Sequence, residues 1–201
     1  MRPKRRRERA VSIAERKARE KAERERSITG AARRIASEQG WDAVTIRRLA
    51  DEIEYSQPVI YSHFRNRDAI VAAVAVEGFG EIANVLNDAR ESSSNQQAAL
   101  ESVAAAYIEF ALGQSALYEA MLVLSNGLPF AQPEAPSELR DAFQALASVV
   151  APFCQQAETA TEALWAALHG AAELERHGRI RPALRARRLG MIVHALLATN
   201  G

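Results

Sequence analysis

The apolar residues of this chain recur at helical spacing from one end to the other. Ile28, Ala31, Ala32 and Ile35 lie three and four apart, a single stripe on a 3.6-residue period. Leu100, Val103, Ala104, Tyr107, Ile108 and Ala111 repeat the pattern, as do Leu139, Phe143, Leu146, Val150 and Phe153. Leu164, Leu168, Ala171 and Leu174 form a fourth such run, and Leu189, Ile192, Val193, Leu196 and Leu197 a fifth. No stretch sustains the two-residue alternation of a half-buried strand. The expectation is an all-α fold of about nine helices. At 201 residues and 48% hydrophobic, the chain can bury a core without staples. The single Cys154 excludes a disulfide framework and a cysteine-based zinc finger.

Punctuation divides the stripes. Gly40 ends the first helix, whose start is open because Glu8 to Arg26 can extend it as a charged helix. Thr45 is an N-cap for a short second helix reaching Ile53. A third follows Ser56, with Pro58 in its first turn, where a missing N–H costs little. Asn66 caps a long fourth helix, roughly 67–90, and the polar run Glu91 to Gln97 breaks it. A sixth spans about 115–125, and Asn126 to Pro136 is a loop containing Gly127, Pro129, Pro133 and Pro136. The eighth stops near Gly178, and Pro182 opens the ninth. No run of about 18 apolar residues is evident, so no membrane span is expected.

The formal net charge of +1 conceals an asymmetry. Residues 1–67 hold 18 Lys and Arg against 10 Asp and Glu, a net of +8; residues 68–201 hold 8 against 15, a net of −7. A basic module for a polyanion is thus joined to an acidic body. The opening Arg2, Lys4, Arg5, Arg6, Arg7 and Arg9 are followed by no apolar stretch, so they are not read as a secretory signal, and cytoplasmic residence is expected. Two readings of this arm, residues 1–25, stand: a solvated tail, or auxiliary contact with DNA phosphates or the minor groove.

The second and third helices are joined by the tight link Glu54, Tyr55 and Ser56, the spacing of a helix-turn-helix. Leu49 and Ile60 can pack between them, and Ala50 is small enough for close approach. The third helix is too short to stand alone and must lean on its neighbours. Its outer face offers Gln57, Val59, Tyr61, Ser62 and His63, which can donate, accept or touch a thymine methyl. Arg47, Arg48, Arg65 and Arg67 surround it as phosphate clamps.

Residues 28–70 resemble the TetR-family DNA-binding domain. The resemblance is carried by Ala31-Ala32, Gly40, Val44-Thr45-Ile46 and Leu49-Ala50, then Ser56, Ile60-Tyr61, His63-Phe64, Arg67, Asp68 and Ile70. Two positions depart from the family pattern. Glu54 stands where the family usually has a turn glycine, so the turn must use non-glycine backbone or accept left-handed strain. Arg67 replaces the commoner lysine. The resemblance implies a helix-turn-helix domain over residues 26–70 and an effector-binding and dimerisation domain over 71–201. It implies phosphate contacts from Tyr61, His63 and Arg67, and base contacts from Gln57, Val59 and Ser62. Thr45, Arg47, Arg48, Ser56 and Pro58 complete the expected DNA-contacting set. Phe64 is read as core.

Small helix-turn-helix units bind DNA as dimers, because one short helix reads few base pairs. Leu164, Leu168, Ala171, Leu189, Ile192, Val193 and Leu196 are the expected dimer face, two helices per chain meeting a partner's pair. The run Leu164-Trp165-Ala166-Ala167-Leu168-His169-Gly170 resembles a Trp…His-Gly signature of one TetR C-terminal subclass, with Gly170 marking a close helix crossing. Tyr107, Phe110, Tyr118, Met121, Phe143 and Trp165 supply walls for a small-molecule pocket, with His169 and Gln144 as polar anchors.

Enzymatic chemistry is set aside. There is no phosphate-binding glycine loop, metallohydrolase motif or nucleophile elbow, so no cofactor is expected. His169, Glu173 and His177 follow i,i+4 spacing and could hold a metal, but such a stripe is more often solvated surface. Cys154 in an apolar stripe reads as a buried inert thiol. The expected function is a homodimeric, sequence-specific regulator on a pseudo-palindromic double-stranded operator, released by a small-molecule effector. The rival reading is a ligand-independent architectural or partner-recruiting DNA-binding protein.

Overall fold

A computed structural model describes residues 3–125, 127–130, 132 and 134–198, with side chains from residue 13 onward. Arg2, Asn126 and Pro133, which entered the reading of the arm and the loop, lie outside them. The described residues form nine α-helices and no strand. They are α1 (Pro3–Gln39), α2 (Ile46–Glu52), α3 (Gln57–His63), α4 (Arg67–Glu91) and α5 (Gln96–Gly113). Then come α6 (Ser115–Glu119), α7 (Ser137–Val150), α8 (Ala157–Arg176) and α9 (Arg185–Ala198). The chain divides into two compact units, residues 1–74 and 75–201, with the division inside α4.

In the first unit, Ile28, Ala31, Ala32, Ile35 and Ala36 of α1 are buried with Leu49 and Ala50 of α2 and Ile60 of α3. Each fully buried Leu or Ile contributes about 1.5–3 kcal/mol. The charged extension is helical, so α1 runs 37 residues without a break. Over residues 13–24 every side chain is exposed, and the i,i+4 pairs Arg16–Glu20 and Lys21–Glu25 line its surface. Gly40 ends it with φ 80°, a conformation glycine adopts without cost. A short 3₁₀ turn, Trp41–Ala43, follows and buries Trp41; the sequence reading had no element there.

Thr45 and Asn66 cap their helices as expected, and Asn95 caps a third. Thr45 Oγ1 accepts the Arg48 amide at 3.1 Å, Asn66 Oδ1 the Ala69 amide at 2.9 Å, and Asn95 Oδ1 the Ala98 amide at 2.9 Å. The turn after α2 keeps its non-glycine residue and takes on the strain. Glu54 has φ 55°, and the Tyr55 amide donates back to Ala50 O at 3.0 Å, a Schellman closure.

In the second unit, α5 is buried through Leu100, Val103, Ala104, Tyr107, Ile108 and Ala111, and packs on α7, α8 and α9. The expected sixth helix changes winding: α6 passes into a π-helical turn at Ala120–Leu124. Phe153 falls beyond α7 in a half-exposed turn, and Cys154 beside it is half-buried rather than sealed in a stripe. One membrane expectation also changes, because α4 is long and apolar enough to cross a bilayer by length and composition. Half of that apolar window is buried inside the fold. Val74, Ala75, Phe79, Ile82 and Leu86 make it a core helix.

Candidate nucleic-acid interface and effector cavity

In the first unit the helix-turn-helix leaves one face open. Thr45, Arg47, Arg48, Ser56, Gln57, Pro58, Tyr61 and Ser62 are exposed, and Val59 is half-buried. Tyr61 is 52% exposed although its neighbour Ile60 is fully buried, so the hydroxyl of this short helix faces solvent. Arg47 and Arg48 stand at the first turn of α2, beyond its buried side at Leu49 and Ala50. A flat run of hydroxyls, an amide and a phenol flanked by guanidinium groups can meet base edges and phosphates together.

Two residues assigned to phosphate are turned elsewhere. Arg67 donates from Nε to Val44 O at 2.9 Å and from Nη2 to Trp41 O at 2.7 Å. Its fork clasps the end of the 3₁₀ turn and ties the start of α4 to it. His63 is only 7% exposed at its side chain, with Nδ1 3.4 Å from Glu25 Oε1 on α1. Glu25, Val44 and Trp41 are not legible as partners in the sequence, because they lie 23 to 38 residues away. Phe64 is buried, as read.

The second unit contains a cavity of about 370 Å³. Phe79, Ile82 and Leu86 of α4 line one side, and Leu139, Phe143 and Leu146 of α7 another. Tyr107, Met121, Phe130 and Trp165 close it. Phe79 and Phe130 meet edge-on at 5.4 Å, and Phe130 lies 6.2 Å from Trp165. Gln132, Arg140, Glu158 and Glu162 are the exposed polar residues of the lining. Of the expected pocket residues, Tyr107, Met121, Phe143 and Trp165 are in the wall. Phe110 is buried outside it, and Gln144 is exposed on the outer side of α7. The spacing of Phe79, Ile82 and Leu86, three and four apart on the fourth helix, was a readable signal for the wall that the sequence reading passed over.

Tyr118 and His169 stand behind the wall and complete a chain of hydrogen bonds. Trp165 Nε1 donates to the Tyr107 hydroxyl at 3.0 Å. The Tyr107 and Tyr118 hydroxyls are 2.9 Å apart, and the Tyr118 hydroxyl is 2.8 Å from His169 Nδ1. Indole can only donate, and with the His169 proton on Nε2 the chain runs Trp165 to Tyr107, Tyr107 to Tyr118, Tyr118 to His169 Nδ1. Burial pushes the Tyr107 phenol up to about 12 and raises Tyr118 as well. Burial, reinforced by Arg176 and opposed by Glu173, holds the His169 imidazole below its usual value. The three groups therefore stay neutral at neutral pH.

The candidate metal stripe does not converge. His169 faces Tyr118, and His177 Nδ1 is 2.8 Å from the Glu173 carbonyl of its own helix. No group of three His, Cys, Asp or Glu among the described residues is placed to hold a metal.

The expected dimer residues divide. Leu164, Leu168 and Val193 are 2%, 0% and 3% exposed within one chain, so they belong to its own core. Ala171, Leu189, Ile192 and Leu196 are half-buried. The outward residues are others: Leu174 at 43% and Met191 at 67% exposed, with Ala166 and Gly190. For Leu164, Leu168 and Val193 the stripe misleads, because a helix seated on several neighbours buries more than one face. A Cβ added at Gly170 or Gly190 would meet nothing within 4 Å, so neither glycine marks a close crossing inside the chain. Glu175, 3% exposed at its side chain, is held by Arg185 and by Arg188 Nη2 at 2.6 Å, which locks α8 to α9.

The fold and these two sites define a helix-turn-helix protein with a helical, cavity-bearing body. Residues 28–74 match the model of bacterial regulatory proteins of the tetR family, and residues 100–199 match a tetracyclin repressor-like C-terminal domain. The chain belongs to the TetR family. It is 42% identical over 64 residues to an HTH-type transcriptional repressor of Mycobacterium tuberculosis, 32% of this chain and 34% of that protein. It is 30% identical over 99 residues to an uncharacterized HTH-type transcriptional regulator of Bacillus subtilis, 49% of this chain. The match spans about half, 51%, of that relative's length. A solved structure of a protein of unknown function from Rhodococcus sp. RHA1 shares the fold, with TM-score 0.73 and 23% identity over 88% of this chain and 94% of that one.

Proposed function

We propose that the protein is a homodimeric, sequence-specific DNA-binding regulator, a repressor released from a pseudo-palindromic operator by a small molecule. The observation that carries this reading is the open face of α3. Gln57, Tyr61 and Ser62 are exposed beside Arg47 and Arg48, on the part of the chain with net charge +8. Tyr61, Arg47 and Arg48 would hold phosphates, with Thr45, Ser56 and Pro58 against the backbone. Gln57, Val59 and Ser62 would face bases. His63 and Arg67 would position this face rather than touch DNA. The basic opening of α1 would add phosphate contacts, and the acidic body would stay off the duplex. A regulator of this kind works in the cytoplasm and needs no catalytic group.

The open small-residue surface of α8 and α9 supports pairing with a second copy. Gly170, Gly190 and the exposed Met191 would allow close approach there. The cavity supports an effector. Its volume falls in the ~300–1,000 Å³ range of small-molecule sites. It is lined by α4, which begins in the DNA-binding unit and continues into the body. A ligand that moves Phe79, Ile82 and Leu86 would move that helix, and release follows only if the two helix positions differ in ligand affinity. The test is selection of bound fragments from a random duplex pool at low salt. A palindromic site whose preferred bases change with Gln57→Ala is the expected result. Recovery of no sequence, or a single half-site, would overturn the reading.

A further inference from the structure

The charged residues of the cavity wall are two carboxylates, Glu158 and Glu162, and one guanidinium, Arg140. The geometry points to an amphipathic organic cation as its ligand class: an apolar body with an amine or quaternary ammonium head. This inference rests on the reading of the cavity as an effector site. The enclosed space is the site; its lining chemistry selects among the ligands that fit.

The deep polar group is Tyr107. Its oxygen accepts the Trp165 N–H and lies 2.9 Å from the Tyr118 hydroxyl, so it carries no charge to attract or repel a ligand head. Among the exposed polar residues of the lining, the two carboxylates, Glu158 and Glu162, are one turn apart on α8, in phase with Trp165 three residues on. Neither has an ion pair with another described residue within 4.0 Å. The cation of the lining, Arg140, donates from Nη1 to the Ala135 carbonyl. An anionic head would thus meet two carboxylates against one guanidinium that is already tied. A neutral head can hydrogen-bond to either but gains no charge attraction. A cationic head gains the carboxylates and the aromatic faces of Phe130 and Trp165, whose rings stand 6.2 Å apart in the same lining.

The test uses three probes of equal chain length, decyltrimethylammonium, decan-1-ol and decanoate. Binding to the full chain is measured by calorimetry at neutral pH below their aggregation concentrations. The expected result is that the ammonium binds at least about tenfold tighter than the alcohol, and decanoate no tighter than the alcohol. The double variant Glu158→Gln, Glu162→Gln brings the ammonium down to the alcohol's affinity and leaves the alcohol unchanged. Leu146→Trp, which fills the cavity, weakens all three. Equal binding of ammonium and alcohol, tighter binding of decanoate, or an advantage that survives the double variant overturns the cation assignment while leaving the cavity as an effector site. Failure of all three probes to bind overturns the effector reading itself, and this inference with it.

Discussion

Arg67 separates two physical roles that the sequence alone merges. If its work is the clasp seen here, Arg67→Ala removes two charge-assisted hydrogen bonds and leaves the carbonyls of the buried residues Trp41 and Val44 without them. Such bonds contribute about 1.5–3 kcal/mol each when dry. The side chain is 34% exposed, so water replaces part of the loss, and about 2 kcal/mol in total is the reasonable expectation. Urea unfolding reads this directly. With a denaturant slope of about 1–3 kcal/mol/M, the midpoint falls by roughly 1 M. Trp41 fluorescence in a Trp165→Phe background follows the unit that contains the clasp. Arg67→Lys keeps the charge but cannot fork, so it recovers only part of the stability. DNA affinity is then measured against salt at a temperature where the variant is folded. The slope of log affinity against log salt stays at the wild-type value, because no phosphate contact is lost. An unchanged urea midpoint with a salt slope reduced by about 0.9 would refute the clasp and make Arg67 a phosphate ligand.

Other perturbations follow from single features. Glu54→Val puts a β-branched side chain at φ 55° and costs about 1–2 kcal/mol by urea titration, whereas Glu54→Gly costs nothing measurable because relief of strain offsets the freer unfolded chain. Glu175→Ala removes the carboxylate that Arg185 and Arg188 share; both guanidinium groups keep access to water, so the cost is about 1–3 kcal/mol, seen as a lower thermal midpoint and faster hydrogen exchange in α9. The His169 imidazole is held below its ordinary value, so its contribution is fully present above about pH 6.5 and is lost as pH falls through the lower folded value. His169→Gln, which can still accept from Tyr118, should therefore flatten part of the fall in thermal stability between pH 7 and 5; an unchanged pH profile would show that His169 does not titrate against the fold.

Local information made much of this protein legible. The helical stripes, Thr45 and Asn66 as caps, Pro58 in a first turn and Gly40 at a helix end act within one turn of chain, so their residue types suffice to place the elements. The strained turn at Glu54 was readable for the same reason. Tyr107, Met121, Phe143 and Trp165 were legible as pocket wall because large apolar residues on four separate segments have one interior to share.

What tertiary structure decided is which side chains remain free to act. His63 and Arg67 read as phosphate ligands until Glu25, Trp41 and Val44 are brought against them. Leu164 and Leu168 read as a dimer face until their own chain covers them. Tyr118 and His169, 51 residues apart, become one hydrogen-bonded line with Tyr107 and Trp165 only when three helices converge. A side chain's propensity is set by its neighbours in sequence. Its solvent exposure, its partners and its proton are set by neighbours in space, and those depend on which residues distant in the chain the packing brings beside it.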